Sequence, residues 1–338
     1  MPVSHPSFRV AAVQAAPVFL NLDATIDKAI GLIGQAAQEG VELIAFPENF
    51  FPGYPFFLWL GTPAWSMQFV QRYHDNSMMV DSVEYRRLEE AAKRHNIHLS
   101  IGFSERSGGS LYMAQALISN KGVTLSTRRK LKPTLVERCL FGEGDGSDLT
   151  VVDTSLGKIG SLCCWEHVQP LTKYAMYAQH EQIHIAAWPS FSLYRDVAYS
   201  LGPEVNTAVT QTYAVEGQCF VIAPSSVVSP EMIEILCMND DARKLLPEGG
   251  GHARIFGPDG SPLASPIDEH SEGLLLADLD LGVLSLAKLA ADPAGHYSRP
   301  DVTQLLLNKS PRRPVVVINE GQIDETNIIQ SEEVPEIN

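Results

Sequence analysis

The sequence predicts an α/β protein in which helices alternate with parallel strands and hairpins are added to the sheets. Strand-sized apolar runs and helical patterns alternate from the N-terminus, as in FRVAAVQ (8–14), a helical stretch, and then VELIAF (41–46). Pairs of short apolar runs separated by glycine turns predict hairpins. Strands mixed with helices along the whole chain are typical of α/β folds.

The first half of the chain supplies two strands, each followed by a helical pattern, and then a further strand and a hairpin. Asp23 is predicted as the N-cap of the first helix. Apolar residues then recur at helical spacing as far as Gly40, a C′ residue that ends the helix. The patterns after that helix predict a strand at 41–46, a charged amphipathic helix at 85–95, a strand at 97–103, and a hairpin of 111–119 with 123–129.

The second half continues the alternation as far as residue 281. A Pro-Asp-Gly turn within 252–263 is its strongest local hairpin signal. The other patterns predict a hairpin of 148–154 with 158–164, a helix near 170–179, a strand at 183–188, a helix at 203–216, a strand at 219–224 and a strand at 274–281.

Composition excludes several classes of protein. The 338 residues carry 25 Lys and Arg against 40 Asp and Glu, a formal net charge of −15. This acidic balance argues against nucleic-acid binding, which needs clustered Lys and Arg. The apolar runs are too short to span a membrane, and the N-terminus lacks the pattern of a signal peptide. Five cysteines, few and odd in number, favour free thiols and a cytoplasmic location.

One domain is expected over residues 8–281, because no linker divides that part of the chain. Residues 282–313 are interpreted as a C-terminal extension. Residues 314–338 contain six acidic residues and no Lys or Arg, which predicts a poorly packed, flexible tail. A docked strand at 315–318 is the alternative for the start of that tail.

Glu48 is the first candidate for chemistry. It directly follows the strand at 41–46, and open α/β sheets bind ligands at the carboxyl ends of their strands. The aromatic residues of FPENFFPGYPFFLWLG (46–61) predict that this carboxyl group is desolvated, which raises its pKa towards that of a general base. A capping or surface glutamate is the alternative.

Lys130 is the second candidate, in RRKLKPTLVERCLFGEGDGS (128–147). If its side chain points inward, a buried ammonium can stabilise negative charge that develops on a substrate. Glu137 could pair with Lys130 and hold it in place. The alternatives are a solvated basic edge strand for Lys130 and a surface ion pair with Arg138 for Glu137.

The adjacent Cys163 and Cys164 are the third candidate, in GSLCCWEHVQPL (160–171). They lie where a strand enters a helix, and a helix N-terminus favours thiolate. Strand alternation points the two side chains to opposite faces, so at most one is the nucleophile. A metal site is disfavoured, because there is no CxxC and His167 is the only close partner. A redox-sensing dithiol is a further alternative, although adjacent cysteines form strained bridges.

These three segments together resemble the nitrilases of the carbon–nitrogen hydrolase superfamily. The Glu, Lys and Cys motifs occur in the family's order, and HIAAWPSFSLY (184–194) and DPAGHYSRPDV (292–302) also match. The resemblance covers about residues 8–302, and the sequences of these motifs are most similar to those of bacterial arylacetonitrilases. Leu135 departs from the pattern, because many relatives carry His there.

The resemblance implies a four-layer α-β-β-α sandwich and a catalytic set of Glu48, Lys130, Cys164 and Glu137. The Cys-Trp-Glu-His signature assigns the nucleophile to Cys164. In the implied reaction Glu48 takes the thiol proton and later activates water, while Lys130 and a backbone N–H near Trp165 meet charge on the substrate nitrogen. No metal or organic cofactor is needed.

The resemblance indicates the substrate less directly than it indicates the reaction. We expect a small-molecule nitrile, with an arylacetonitrile first and aliphatic nitriles or cyanide as the near alternatives. Homo-oligomers are also implied, in which dimers extend into a spiral through heterologous contacts. The C-terminal extension, with GHYSRPDV (295–302), and the acidic tail are candidates for these contacts, and an ordinary surface loop and a disordered end are the alternatives. Rival interpretations are an amidase or carbamoylase with the same site, and a filament-forming protein with a vestigial site. The residues expected to line an aromatic substrate pocket are Tyr54, Trp59, Trp165, Trp188 and Phe191.

Overall fold

The computed structural model describes residues 5–313 and 315. The strands in this part of the chain are β1 (Ser7–Ala15), β2 (Val41–Ala45), β3 (His98–Ser107), β4 (Ser110–Ile118), β5 (Thr124–Arg129), β6 (Phe141–Gly142), β7 (Val152–Thr154), β8 (Gly157–Cys163), β9 (Ile183–Ala187), β10 (Phe220–Ala223), β11 (Ser225–Ser226), β12 (Arg254–Phe256) and β13 (Gly273–Asp280). The α-helices are α1 (Leu22–Gln38), α2 (Phe57–Leu60), α3 (Pro63–Asp75), α4 (Val83–His95), α5 (Pro170–Tyr177), α6 (Pro203–Gly217), α7 (Pro230–Leu236), α8 (Asp240–Leu245) and α9 (Leu284–Ala291).

The strands form two mixed sheets. The first has the order β11-β1-β2-β3-β4-β5, with β13 alongside β1 and β6 alongside β4. The second has the order β12-β10-β9-β8-β7. Strands β1, β2 and β3 are parallel, as are β8, β9 and β10, and antiparallel partners extend both sheets. The mixture of parallel pairs and hairpins agrees with the alternation in the sequence.

The side chains of β1 show how the layers are assembled. Val10 and Ala12 pack into a core between the two sheets, together with residues of β9 and β10. Ala11 and Val13 point to the opposite face and pack against α1 and α4, as strand alternation requires. Helices α5 and α6 cover the outer face of the second sheet. The predicted four-layer α-β-β-α sandwich is therefore confirmed.

One local prediction was wrong. Asn21, not Asp23, is the N-cap of α1, because its extended backbone lets its side chain accept a hydrogen bond from the Ala24 N–H at 3.1 Å. The turn predicted at Pro-Asp-Gly follows β12 and reverses the chain, and the Leu263 N–H donates to the Ile255 carbonyl at 2.9 Å across it. The return arm pairs only through an antiparallel bridge between Phe256 and Pro262, because proline lacks the N–H that a longer ladder would use.

The chain after β13 forms α9 and then an irregular segment that returns to the body of the domain. The Arg312 N–H donates to Asp145 Oδ2 at 2.7 Å. Leu286 and Leu289 of α9 remain 71% and 75% exposed. The predictions for 314–338 lie outside the described residues, except at Val315, which is exposed. Among the described helices, none has the length and apolarity needed to cross a membrane.

Candidate active site

Three strand ends bring Glu48, Lys130 and Cys164 to one place. Glu48 follows β2, Lys130 directly follows β5, and Cys164 directly follows β8 of the other sheet. The close approach of the Glu48 segment to β3 depends on Gly102, because a Cβ there would lie 2.2 Å from the Pro47 carbonyl oxygen. The site therefore lies between the two sheets, at the carboxyl ends of the strands that carry it.

The Lys130 ammonium lies between two carboxylates. Its Nζ donates to Glu48 Oε1 at 2.9 Å and to Glu137 Oε2 at 2.8 Å, and all three side chains are at most 1% exposed. Burial alone lowers a lysine pKa, but the attraction of Glu137 and Glu48 outweighs it and raises the pKa of Lys130 well above its usual value. Lys130 is therefore a fixed positive charge in a buried position, where electrostatic interactions are stronger than in water.

The two carboxylates differ in their remaining partners. Glu137 accepts a hydrogen bond from the Tyr54 hydroxyl at 2.6 Å and another from the Thr134 N–H at 2.5 Å, in addition to Lys130. Glu48 Oε2 is buried and has no hydrogen-bond partner among the described residues. The charge of Glu137 is thus well satisfied, whereas Glu48 keeps a free oxygen that is able to accept a proton.

Burial raises the pKa of Glu48 to about 7, with Lys130 opposing that shift and Glu137 adding to it. One ammonium between two carboxylates leaves one negative charge uncompensated in a buried site. Glu48 has the fewest donors, so a proton is held there most readily. Glu48 is therefore poised to exchange a proton near neutral pH.

Cys164 begins a short 3-10 helix, Cys164–Val168, with a left-handed backbone at φ 44°. Burial and the charge of Glu48 raise the pKa of the Cys164 thiol well above its usual value. The expectation that a helix N-terminus favours thiolate was wrong, because the turn is a five-residue 3-10 helix in a buried, negatively charged site. A thiol of this kind needs a base before it can attack.

Glu166 and Arg128 hold this arrangement together, and the sequence interpretation assigned them no role. Arg128 donates to both oxygens of Glu166, at 2.7 and 2.9 Å. The same carboxylate accepts from the Cys163 N–H at 2.7 Å and the Leu131 N–H at 2.9 Å. It therefore ties the end of β8 to the loop that follows Lys130. The three-residue spacing from Cys163 to Glu166 is the signal that could have indicated this cap.

The alternatives predicted for Lys130 and Glu137 do not match the structure. Lys130 is not on a solvated basic edge, because its side chain is fully buried, whereas Lys132 nearby is 62% exposed and pairs with Glu143. Glu137 is buried against Lys130 and does not pair with Arg138 at the surface. All five cysteines are free thiols, and no cluster of three or more His, Cys, Asp or Glu side chains in the described ranges is arranged to bind a metal.

A cavity lined in part by aromatic side chains opens onto this site. Trp59 donates from Nε1 to the Tyr54 hydroxyl at 3.1 Å, and Trp188 packs beside Phe191 with ring centroids 5.6 Å apart. The structure brings all five residues expected to bind substrate to this one cavity. Its lining comprises Tyr54, Phe56, Trp59, Thr134, Glu137, Cys164, Trp165, Trp188, Pro189, Ser190, Phe191, Leu193, Leu201 and Asn206.

Comparison with known proteins identifies the family. Residues 9–288 match the carbon–nitrogen hydrolase family. The chain is 61% identical to a nitrilase of Pseudomonas syringae pv. syringae over 95% of both chains. It is 52% identical to an aliphatic nitrilase of Rhodococcus rhodochrous, over 91% of this chain and 85% of that one. It is 51% identical to an arylacetone-specific nitrilase of Alcaligenes faecalis, over 97% and 90%.

The fold is also found among solved structures. The NitFhit protein of C. elegans superposes with a TM-score of 0.72, at 19% identity, over 92% of this chain and 70% of that one. At this identity the likeness concerns the fold alone. The chain belongs to the carbon–nitrogen hydrolase family, and its similarity to proteins named nitrilases places it in the nitrilase branch of that family.

Proposed function

We propose that this nitrilase hydrolyses arylacetonitriles to a carboxylic acid and ammonia, with Cys164 as the nucleophile. The observation that carries the proposal is that one cavity is lined by Cys164, Glu137 and six aromatic side chains, which can pack against an aromatic ring. Similarity alone is divided between aryl-specific and aliphatic relatives. The aromatic lining therefore carries the choice of substrate.

The proposed reaction begins with proton transfer from the Cys164 thiol to Glu48. The sulfur then bonds to the nitrile carbon as one carbon–nitrogen π bond breaks, and the nitrogen takes up that proton from Glu48 to give a thioimidate. Lys130 stabilises negative charge on that nitrogen, because it is buried and held by Glu48 and Glu137. Glu137 is proposed to position Lys130.

Two water molecules complete the reaction. Glu48 takes a proton from the first as it adds to the thioimidate carbon, and passes that proton to the nitrogen. The proton of the new hydroxyl then moves to the same nitrogen as the carbonyl forms, so that ammonia leaves and a thioester remains. The second water adds to the thioester in the same way, which releases the carboxylic acid and returns the thiol of Cys164. If the first tetrahedral intermediate loses the thiolate before ammonia, an amide is released.

Ammonia release from phenylacetonitrile by the purified protein tests this proposal, with phenylacetamide as the paired substrate. We expect ammonia from the nitrile and none from the amide. Ammonia from the amide alone would support the amidase or carbamoylase alternative. Turnover of aliphatic nitriles or cyanide without phenylacetonitrile would retain nitrile hydrolysis and overturn the aromatic substrate.

We expect the activity to be lost as the pH falls through about 7. Burial raises the pKa of Glu48 to about 7, whereas an ordinary glutamate has a pKa of about 4.3. Because Glu48 must be deprotonated to accept the thiol proton, the acidic limb of kcat/KM lies near the raised value. A profile of kcat/KM against pH measures it, and a limb near the ordinary value would contradict this role of Glu48.

Tyr54→Phe is expected to lower kcat by roughly tenfold. The change removes the hydroxyl that donates to Glu137 at 2.6 Å and accepts from the Trp59 indole. Tyr73→Phe is the matched control, because it also loses one buried hydrogen bond, to the Gly53 carbonyl, outside the site. Steady-state kinetics of both variants would contradict the prediction if the two lost kcat equally.

We also propose that the protein is cytoplasmic and that residues 282–313 contribute to contacts between copies. Five free thiols support the cytoplasmic location.

The exposed Leu286 and Leu289 on α9 support the contact between copies. Light scattering of Leu286→Asp tests the contact: a smaller assembly than wild type is expected, and an unchanged assembly would contradict it. In this proposal, dimers assemble further into a spiral.

A further inference from the structure

A row of buried polar side chains leads away from the backbone of Cys164 and takes no part in the reaction described above. His167 Nδ1 lies 2.6 Å from the Cys164 carbonyl oxygen, and His167 Nε2 lies 2.9 Å from His184 Nε2. His184 Nδ1 lies 2.8 Å from Glu181 Oε1, and the Tyr213 hydroxyl donates to Glu181 Oε2 at 2.7 Å. We call His167, His184, Glu181 and Tyr213 the histidine relay.

The Cys164 carbonyl fixes the direction of every hydrogen bond in the histidine relay. A carbonyl oxygen only accepts, so His167 donates from Nδ1 and, when neutral, accepts at Nε2. His184 must then donate from its Nε2 and, when neutral, accept at Nδ1. The donor to that nitrogen is Glu181, which therefore carries a proton on Oε1. One arrangement of protons thus satisfies all four side chains without any charge.

Burial supports this neutral arrangement. All four side chains are at most 1% exposed. Burial raises the pKa of Glu181 to about 8 and lowers the pKa of His167 to about 3. The pKa of His184 is likewise far below its usual value because of burial. Moving the proton from Glu181 to His184 would create two charges in this buried region.

The structure reserves space for the Glu181 carboxyl group against β8, the strand that ends in Cys163. A Cβ on Gly160 of β8 would lie 2.0 Å from Glu181 Oε1. Gly160 is also the register partner of His184 on β9. The carboxyl group is therefore packed against the strand that presents the nucleophile.

The charged groups around the histidine relay largely compensate one another. Arg128 lowers the pKa of His184 and Glu166 raises it, and these two residues form an ion pair with each other at 2.7 Å. Lys173 lowers the pKa of His167, and its own charge is paired with that of Glu216. The titratable groups near Glu181 besides the relay itself are Tyr177 and Cys219.

We propose that Glu181 is held as a carboxylic acid and acts through His184 and His167 as a positioning residue for Cys164. When Glu181 loses its proton, His184 must donate from Nδ1 to the carboxylate and no longer donates from Nε2. Two acceptor nitrogens then face each other unless His167 gives up its bond to the Cys164 carbonyl. Cys164 has a left-handed backbone, which a non-glycine residue holds only with support from its surroundings. The nucleophile is therefore misplaced at alkaline pH.

The reaction of Cys164 with iodoacetamide tests this inference without a nitrile substrate. The inference rests on the proposed function only in taking Cys164 as the nucleophile, so failure of nitrile turnover leaves this test intact. Alkylation of Cys164 is followed by mass spectrometry from about pH 6 to about pH 10. The Cys164→Ala variant, which lacks this thiol, gives the background signal. The proteins compared are the wild type, Glu181→Gln, Glu181→Leu and Glu216→Gln. Glu216 is a matched control because it is a carboxylate near the relay but outside it.

The Glu181→Gln amide can donate to His184 and accept from Tyr213 at every pH. We therefore expect wild-type reactivity to fall by about tenfold relative to Glu181→Gln as the pH rises well above 8. Glu181→Leu is expected to react roughly tenfold to hundredfold more slowly at all pH values, and Glu216→Gln to follow the wild type. Equal losses in the Gln and Leu variants, or no loss in either, would overturn the inference.

A second measurement uses the unmodified chain and needs no Glu181 variant to fold. With ¹⁵N-labelled histidine, we expect NMR of the wild type at neutral pH to detect two neutral rings coupled through one Nε2–H···Nε2 hydrogen bond. One of these rings carries its proton on Nδ1 and the other on Nε2. A charged imidazolium in that pair would mean that Glu181 is ionised and would overturn the inference.

Discussion

Cys164→Ala is expected to abolish turnover of phenylacetonitrile, with a loss in kcat of about 10⁴-fold or more. Among the residues that the structure describes, Cys164 alone places a sulfur on the wall of the cavity that also contains Glu137, and the variant removes it. The methyl group of alanine cannot attack the nitrile carbon, so no thioimidate forms. Ammonia release measures the loss, and thermal unfolding checks that the variant is folded.

Cys163→Ala is the matched control for this prediction. The Cys163 thiol is fully buried, and its sulfur lies 4.0 Å from Arg128 Nη1, away from the cavity. We expect this variant to retain turnover, at some cost in stability. If Cys163→Ala lost activity while Cys164→Ala kept it, the assignment of the nucleophile would be wrong.

Glu48→Gln is expected to lower kcat by about 10²- to 10⁴-fold, the usual contribution of a general base. The amide oxygen can still accept a hydrogen bond from Lys130, so the change tests proton transfer more than packing. The unpartnered Oε2 of Glu48 and a pKa of about 7 are the properties that the variant removes. Steady-state kinetics near neutral pH measure the loss.

Glu137→Gln is the paired comparison, because Glu137 contacts the same ammonium at nearly the same distance. Its oxygens already accept from Tyr54 and Thr134, so it has a positioning role and we expect a smaller loss of kcat. A larger loss in Glu137→Gln than in Glu48→Gln would contradict the division of roles between the two carboxylates.

Much of the fold could be predicted because its elements carry local signals. The strand at 41–46 and the helix at 203–216 agree with β2 and α6 to within about a residue. Long-range pairing left no such signal. The return of β13 to lie antiparallel to β1 joins residues about 270 positions apart, and no local pattern specifies that partner. The pairing of β3 with β4 is local and was missed for another reason: the two-residue Gly108–Gly109 turn between these strands is a hairpin signal that was not used.

The positions of Glu48, Lys130 and Cys164 could be predicted because each follows a recognisable strand. Their ionisation could not, since it depends on neighbours brought together by folding. The thiol of Cys164 was expected to favour thiolate, and burial with Glu48 reverses that direction. The buried partnership of Arg128 with Glu166 joins two distant motifs, so neither segment reveals it alone.

A covalent bond between the substrate carbon and Cys164 is the central claim, and rapid acid quench during turnover of phenylacetonitrile tests it most directly. Peptide mass spectrometry of the quenched protein locates any bound group. We predict a phenylacetyl group, or its imidate precursor, on Cys164 in the wild type and none in Cys164→Ala. Turnover with no adduct on Cys164 at any quench time, or with the adduct on Cys163, would contradict the account.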